Sequence, residues 1–141
     1  MRYYAHTAEL SDGTRDDDET HWQPLRTHLQ NVANLAAKFA APFGASAEAL
    51  LAGLLHDLGK YRFEFQTYLR GQRPSGVETQ HAIFGAVWAA DDSRPQLFAT
   101  KLAIAGHHAG LHNHCDIEGM CANPGLILPE TIDVLVALLE S

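Results

Sequence analysis

Apolar residues recur along this chain at helical spacing, in stretches cut by proline and glycine. Pro24 is a favourable first helical residue. After it, Leu25, Leu29, Val32, Leu35, Ala36 and Phe39 form a stripe that predicts a helix ending near Pro42 and Gly44. Ser46 suits an N-cap, with Glu48 in the first turn. Leu50, Leu51, Leu54, Leu55 and Leu58 then predict a second helix, stopped by a left-handed turn at Gly59. A short helix is expected between Tyr61 and Gly71, carrying Phe63, Phe65, Tyr68 and Leu69, before the turn Arg73-Pro74-Ser75-Gly76. From His81 to Ala90 the residues are small and apolar nearly all round, as in a central, closely packed helix. Gln96 to His108 predicts another helix, with Leu97, Phe98, Leu102, Ile104 and Ala105 as its apolar set. In the last, Pro129 to Glu140, Ile132, Leu135, Val136 and Leu139 face inward while Asp133 and Glu140 fall on the polar side.

Between these stretches, residues 1–20 read as an irregular arm, with Asp16-Asp17-Asp18-Glu19 a solvated loop. Residues 109–128 read as a long loop. Neither repeats nor convincing strands are evident, so the expected fold is one all-α domain over residues 1–141, built of five to six helices. A chain of 141 residues, 46% apolar and 19% charged, suits a single folded core. No membrane-length apolar run and no leader is visible, which places the expected location in the cytoplasm. Cys115 and Cys121 make no disulfide framework. A zinc site from His112, His114, Cys115, Asp116 and Cys121 would have the spacing of no common finger. The net charge of -7 argues against broad electrostatic binding of nucleic acid, though not against a local basic channel.

The chemistry centres on Leu54-Leu55-His56-Asp57-Leu58-Gly59-Lys60. An ionised carboxylate at the end of an apolar helix has little water and the wrong end of the macrodipole, so it needs a partner or a cation. Nine histidines lie along the chain. His28 borders the first stripe, where a lone histidine is more often packed than ligating. His81 opens the small-residue helix. His107 and His108 are adjacent, and neighbouring helical side chains diverge by about 100°, so both reach one site only at a distorted helix end. His6 is a satellite candidate outside the set. The ordered set His28, His56-Asp57, His81 and His107-His108 offers imidazoles and one carboxylate. Such donors suit Mn, Fe, Co, Ni or Zn better than the oxygen-seeking Mg, which stays an alternative. Six protein ligands are too many for one catalytic ion with an open position, which favours two ions bridged by Asp57. Two such ions can activate water and stabilise a leaving oxygen of a phosphodiester, with Lys60 beside a non-bridging oxygen. Lys60, Arg62, Arg70 and Arg73 around Phe63, Phe65 and Tyr68 suit single-stranded nucleic acid. The alternative is an amphipathic helix burying its rings under solvated arginines.

These residues resemble the HD phosphohydrolase superfamily, and more closely the HD nuclease domain of the CRISPR-associated nuclease-helicase of type I systems. The resemblance rests on Tyr4-Ala5-His6, Trp22-Gln23-Pro24-Leu25 with His28-Leu29, and His56-Asp57-Leu58-Gly59-Lys60. It continues through Phe65-Gln66 with Tyr68-Leu69, His81 with Gly85-Ala86, and Gly106-His107-His108-Ala109-Gly110-Leu111. It implies an HD-type helical bundle in which His28 and His56 bind a first metal and Asp57 bridges. His81, His107 and His108 would bind a second, and Lys60 would sit beside the scissile phosphate. The implied reaction is cleavage of single-stranded DNA in antiviral defence, fed by a helicase domain or subunit and licensed by a crRNA-guided surveillance complex. Two other readings stand beside it: an HD phosphohydrolase acting on nucleotides, and a truncated, non-catalytic metal-binding remnant. The family closes its first metal shell with a later aspartate. No segment here matches it, Asp133 being nearest, and no helicase half follows. The expectation is therefore a C-terminally shortened form or fragment with a weakly held first metal.

Overall fold

A computed structural model describes residues 2–90, 95–108, 110, 112–122, 134, 136 and 137. Six α-helices occur among them: α1 (Leu25–Ala40), α2 (Ser46–Leu55), α3 (Phe63–Leu69), α4 (Ile83–Ala89), α5 (Phe98–Gly106) and α6 (His114–Cys121). The all-α expectation is met, with small departures at both ends. The expected helix at 129–140, Asp133 included, lies outside the described residues except for 134, 136 and 137.

The core is built where apolar faces meet. Leu25 and Leu29 of α1, Leu55 of α2, Phe84, Ala86 and Ala89 of α4, Ile104 and Ala105 of α5 and Ile117 of α6 are buried together with Leu58 and Tyr61. Each large side chain so buried contributes roughly 1.5–3 kcal/mol. The α1 stripe is used only in part: Ala33 is buried, whereas Leu35 and Phe39 are 52% and 67% exposed. Val32 is only partly covered.

Glycine contacts set how closely these helices approach. A Cβ on Gly53 would lie 2.5 Å from Ala33 Cα, one on Gly85 2.1 Å from the Leu55 carbonyl oxygen, and one on Gly59 2.5 Å from the His81 carbonyl oxygen. Gly59 therefore does not serve as the left-handed helix stop expected of it. It lies in a 3₁₀ turn, Leu58–Tyr61, where its missing side chain admits the backbone at His81. Ser46 is likewise the first residue of α2 and not its cap; its hydroxyl donates to the Ala37 carbonyl instead.

The arm is ordered, not irregular. β1 (Tyr4–His6) pairs antiparallel with β4 (Gln23–Pro24), and β2 (Ala8–Glu9) with β3 (Arg15–Asp16). Tyr4, Ala5 and Trp22 are buried. The acidic run is largely consumed locally: Asp17 pairs with Arg15, Asp16 with His21, and Asp18 caps the 3₁₀ turn at Glu19–His21. Glu19 pairs with Arg70.

Gln66, fully buried in α3, ties β1 to the helices. Its Nε2 donates to the carbonyls of Tyr4 and Lys60, both at 2.8 Å, and its Oε1 accepts from Tyr4 N at 3.1 Å and from Arg70 Nη1 at 3.2 Å. Gln66→Ala strands several buried polar groups, each costing about 1–3 kcal/mol. We expect a loss of about 3 kcal/mol in chelator-treated protein, read by urea denaturation. An unchanged midpoint would mean that the arm is not held by this side chain.

The long loop also contains structure that the hydrophobic pattern did not announce. Asn113 caps α6, its Oδ1 accepting from Asp116 N at 3.0 Å, and Ile117 is the buried anchor. The metal-capable groupings among the described residues include none of His112, Cys115, Asp116 and Cys121. No helix among the described residues is long and apolar enough to cross a membrane.

Candidate metal centre

Five elements converge on Asp57. His28 comes from α1, one turn in. His56 caps the C-terminal end of α2, and Asp57 follows it, outside the helix, at φ -111°. Asp57 thus lies past the end of α2 and not within a helix continuing to Leu58; it is buried because the chain turns there into the 3₁₀ segment. Lys60 lies in that segment. His81 precedes α4, and His107 is the C-cap of α5, followed by His108.

The carboxylate, 3% exposed, divides its oxygens between two groups of rings. Oδ2 faces His28 Nε2 and His56 Nε2, each at 3.2 Å, and Lys60 Nζ at 2.9 Å. Oδ1 faces His81 Nε2 at 3.2 Å and His107 Nε2 at 3.5 Å. His28 Nε2 and His56 Nε2 are 3.2 Å apart, and His81 Nε2 and His108 Nε2 3.0 Å. All six residues expected as ligands are therefore brought together. The rings come from distant parts of the chain, yet their Nε2 atoms face one another across one carboxylate.

Whether this set suits a cation can be judged from its protons. His56 Nδ1 is 2.8 Å from the Gly53 carbonyl and His107 Nδ1 is 2.6 Å from the Ile104 carbonyl. A carbonyl only accepts, so both Nδ1 atoms carry hydrogen and each ring, when neutral, presents a bare lone pair at Nε2. Those lone pairs point at an anionic oxygen, a repulsive arrangement unless something positive lies between. Asp57 Oδ1 and His107 Nε2 are also buried without a hydrogen-bond partner among the described residues. Backbone-anchored imidazoles of this kind are the usual support of metal ligands. The donors fit a divalent ion at both ends of the carboxylate.

The titration of the metal-free site follows from the same geometry. Burial pushes the Asp57 carboxyl up, but the imidazoles of His107, His28, His56 and His81 that face it hold it far below the usual carboxylate range, so it stays ionised. Burial lowers the His107 pKa, yet the Asp57 carboxylate beside it wins and the pKa is raised. His108 is lowered by burial and by its histidine neighbours.

Lys60 is almost wholly buried and is held by Asp57 Oδ2 and the Ala5 carbonyl, the latter at 3.2 Å. The other basic candidates are committed elsewhere. Arg62 donates to the Glu78 carbonyl and pairs with Glu64. Arg70 pairs with Glu19 and donates to the Arg2 carbonyl, and Arg73 pairs with Glu78. Each of these guanidiniums thus has a protein partner within the fold. His6, left outside the expected ligand set, stands with its ring centroid 5.1 Å from that of His28. Its neighbour Ala5 accepts from Lys60, a link that no local pattern signals.

A helical scaffold that gathers histidines around a shared, buried aspartate is a candidate metal centre of the kind that the metal-dependent phosphohydrolases of the HD class carry. The chain belongs to the HD domain family, whose model matches residues 25–132. Comparison with curated proteins finds no match.

Proposed function

We propose that this protein is a divalent-metal-dependent phosphodiesterase that cleaves single-stranded DNA, in the manner of the HD nucleases of type I CRISPR systems. The observation that carries the reading is the division of the Asp57 carboxylate between two histidine groups, His28 with His56 and His81 with His107 and His108. Ions held there, of the Mn, Fe, Co or Ni type, supply an activated water and stabilise charge on the leaving oxygen. The protein's own part is positional. Asp57 keeps both groups in register, and the Gly53 and Ile104 carbonyls fix the tautomers of His56 and His107. Lys60, two of whose protons are engaged by Asp57 and Ala5, has a third for a non-bridging phosphate oxygen. The choice of single-stranded DNA rests on the motif resemblance from about Tyr3 to Leu111. Recruitment by a helicase and a crRNA-guided complex belongs to the same proposal.

The test is a cleavage assay with Mn²⁺, Co²⁺ or Ni²⁺ on single-stranded DNA beside a panel of nucleotides and cyclic nucleotides. Metal-dependent nicking of DNA is expected. Hydrolysis of nucleotides with intact DNA would reject the substrate and favour the second reading, a nucleotide phosphohydrolase, which the HD family match accommodates equally. Lys60→Met is expected to lower turnover by about 10²-fold with bound metal retained. Loss of the metal along with turnover would make Lys60 a support of the site and not a contact to phosphate.

A further inference from the structure

We propose that His6, at the end of β1, is a metal ligand, joining His28, His56 and Asp57 Oδ2 around the first ion; the inference rests on the two-metal reading above. The ligand atoms of His6, His28 and Asp57 all lie within 4.8 Å of one another. Two donors on one ion, each at about 2.0–2.1 Å, stand at most about 4.2 Å apart. The triad thus stands close to the spread that a single ion allows.

Three further observations support the assignment. First, the His6 ring makes no hydrogen bond among the described residues; its contact there is the edge-to-face approach to His28. An imidazole with an unengaged lone pair beside two metal-capable groups is free to coordinate. Second, the backbone leading into it is fixed. Tyr4 is bound through its N–H and carbonyl by Gln66, and the Ala5 carbonyl accepts from Lys60, itself paired with Asp57. The strand therefore carries His6 to the centre on a rigid mount, the requirement for a ligand delivered from outside the bundle. Third, the two metal-capable groupings share a single carboxylate, Asp57. Around Oδ1 the grouping numbers three histidines. Around Oδ2 the described residues of the bundle supply His28 and His56, and His6 adds a third histidine. Each ion then has four protein donors and keeps open positions for water and substrate.

The ordered arm acquires a purpose from this. β1 and the Gln66 clamp serve the chemistry as well as the fold, and removing the arm would open the first ion's shell.

The experiment compares the full chain with His6→Ala and His6→Phe by calorimetric titration with Mn²⁺ or Co²⁺. Electron-spin-echo modulation of the Mn²⁺-loaded proteins counts coordinated ring nitrogens. Phenylalanine keeps the ring against His28 and removes the lone pair. Melting of all three in chelator checks that the fold is retained. Both variants are expected to lose about 10–100-fold at one of two sites, with one nitrogen fewer in the spectrum. An unchanged isotherm and spectrum in both, or wild-type behaviour in His6→Phe alone, would overturn the assignment and leave His6 a packing residue. Wild-type protein that binds no metal would overturn both this and the proposed function. Metal binding that depends on His6 in a protein inert toward DNA would sustain the ligand and remove the nuclease.

Discussion

Asp57→Ala is expected to empty the centre: bound Mn²⁺ or Co²⁺ falls from two ions per chain to near none, and phosphodiester cleavage drops by at least about 10³-fold. The size follows from the position of the residue. Changes one shell beyond a metal commonly cost about 10–100-fold, and Asp57 faces both ligand groups directly. The substitution acts on stability as well. Lys60 is 4% exposed and its only carboxylate partner among the described residues is Asp57. Removing one member of a buried pair strands the other, at about 3–5 kcal/mol. Elemental analysis and urea denaturation with and without chelator separate the two effects. Two ions retained per chain in the variant would exclude Asp57 as the shared ligand.

Gly85→Ala is expected to be among the most destabilising single changes in the helical core, at about 3 kcal/mol or more. Its Cβ would sit 2.1 Å from the Leu55 carbonyl oxygen and 2.8 Å from the Leu55 carbonyl carbon, both backbone atoms that cannot rotate away. Relief requires α4 and α2 to part by on the order of 1 Å in a close-packed interior. Those helices carry the segments that hold His81 and His56, so metal affinity should fall with stability. Gly119→Ala in α6 is the contrasting case. A Cβ there meets nothing within 4 Å, and the gain in helix propensity predicts stabilisation of up to about 1 kcal/mol. Denaturation midpoints in chelator should move in opposite directions. A Gly85→Ala protein as stable as the parent would show that the approach of α2 and α4 is not tight.

Much of the helical layout is legible in the hydrophobic pattern because leucines at three- and four-residue spacing have few alternatives to a helix. The stripe on α1 states which face is apolar but not how far along it a partner reaches. Leu35 and Phe39 consequently stand exposed while Ala33, opposite Gly53, is buried. α6 escaped notice because it has one buried anchor, Ile117, and no stripe. Its visible signal was the Asn113 cap with Asp116 three residues on. The arm escaped notice for a different reason: its strands are two or three residues long, and the groups that fix them, Gln66 and Arg70, lie some fifty to sixty residues away in the chain. The sequence shows the charge of the arginines around α3 but not its partners. Glu19 and Glu78 are the partners, and only folding brings Glu19 to Arg70.

By itself the sequence determined the inventory and its order: helix-forming stripes, one carboxylate next to a histidine at a helix end, and further histidines at the ends or edges of other apolar segments. These follow from local spacing and from the cost of burying an unpaired charge. The tertiary structure alone decided that Oδ1 and Oδ2 of Asp57 serve different groups, that Gly59 is a point of contact and not a left-handed helix stop, and that His6 arrives beside His28. Such features depend on ångström-scale distances between residues far apart in the chain. Those distances are set by where backbones can touch, at Gly53, Gly59 and Gly85, which no local pattern encodes.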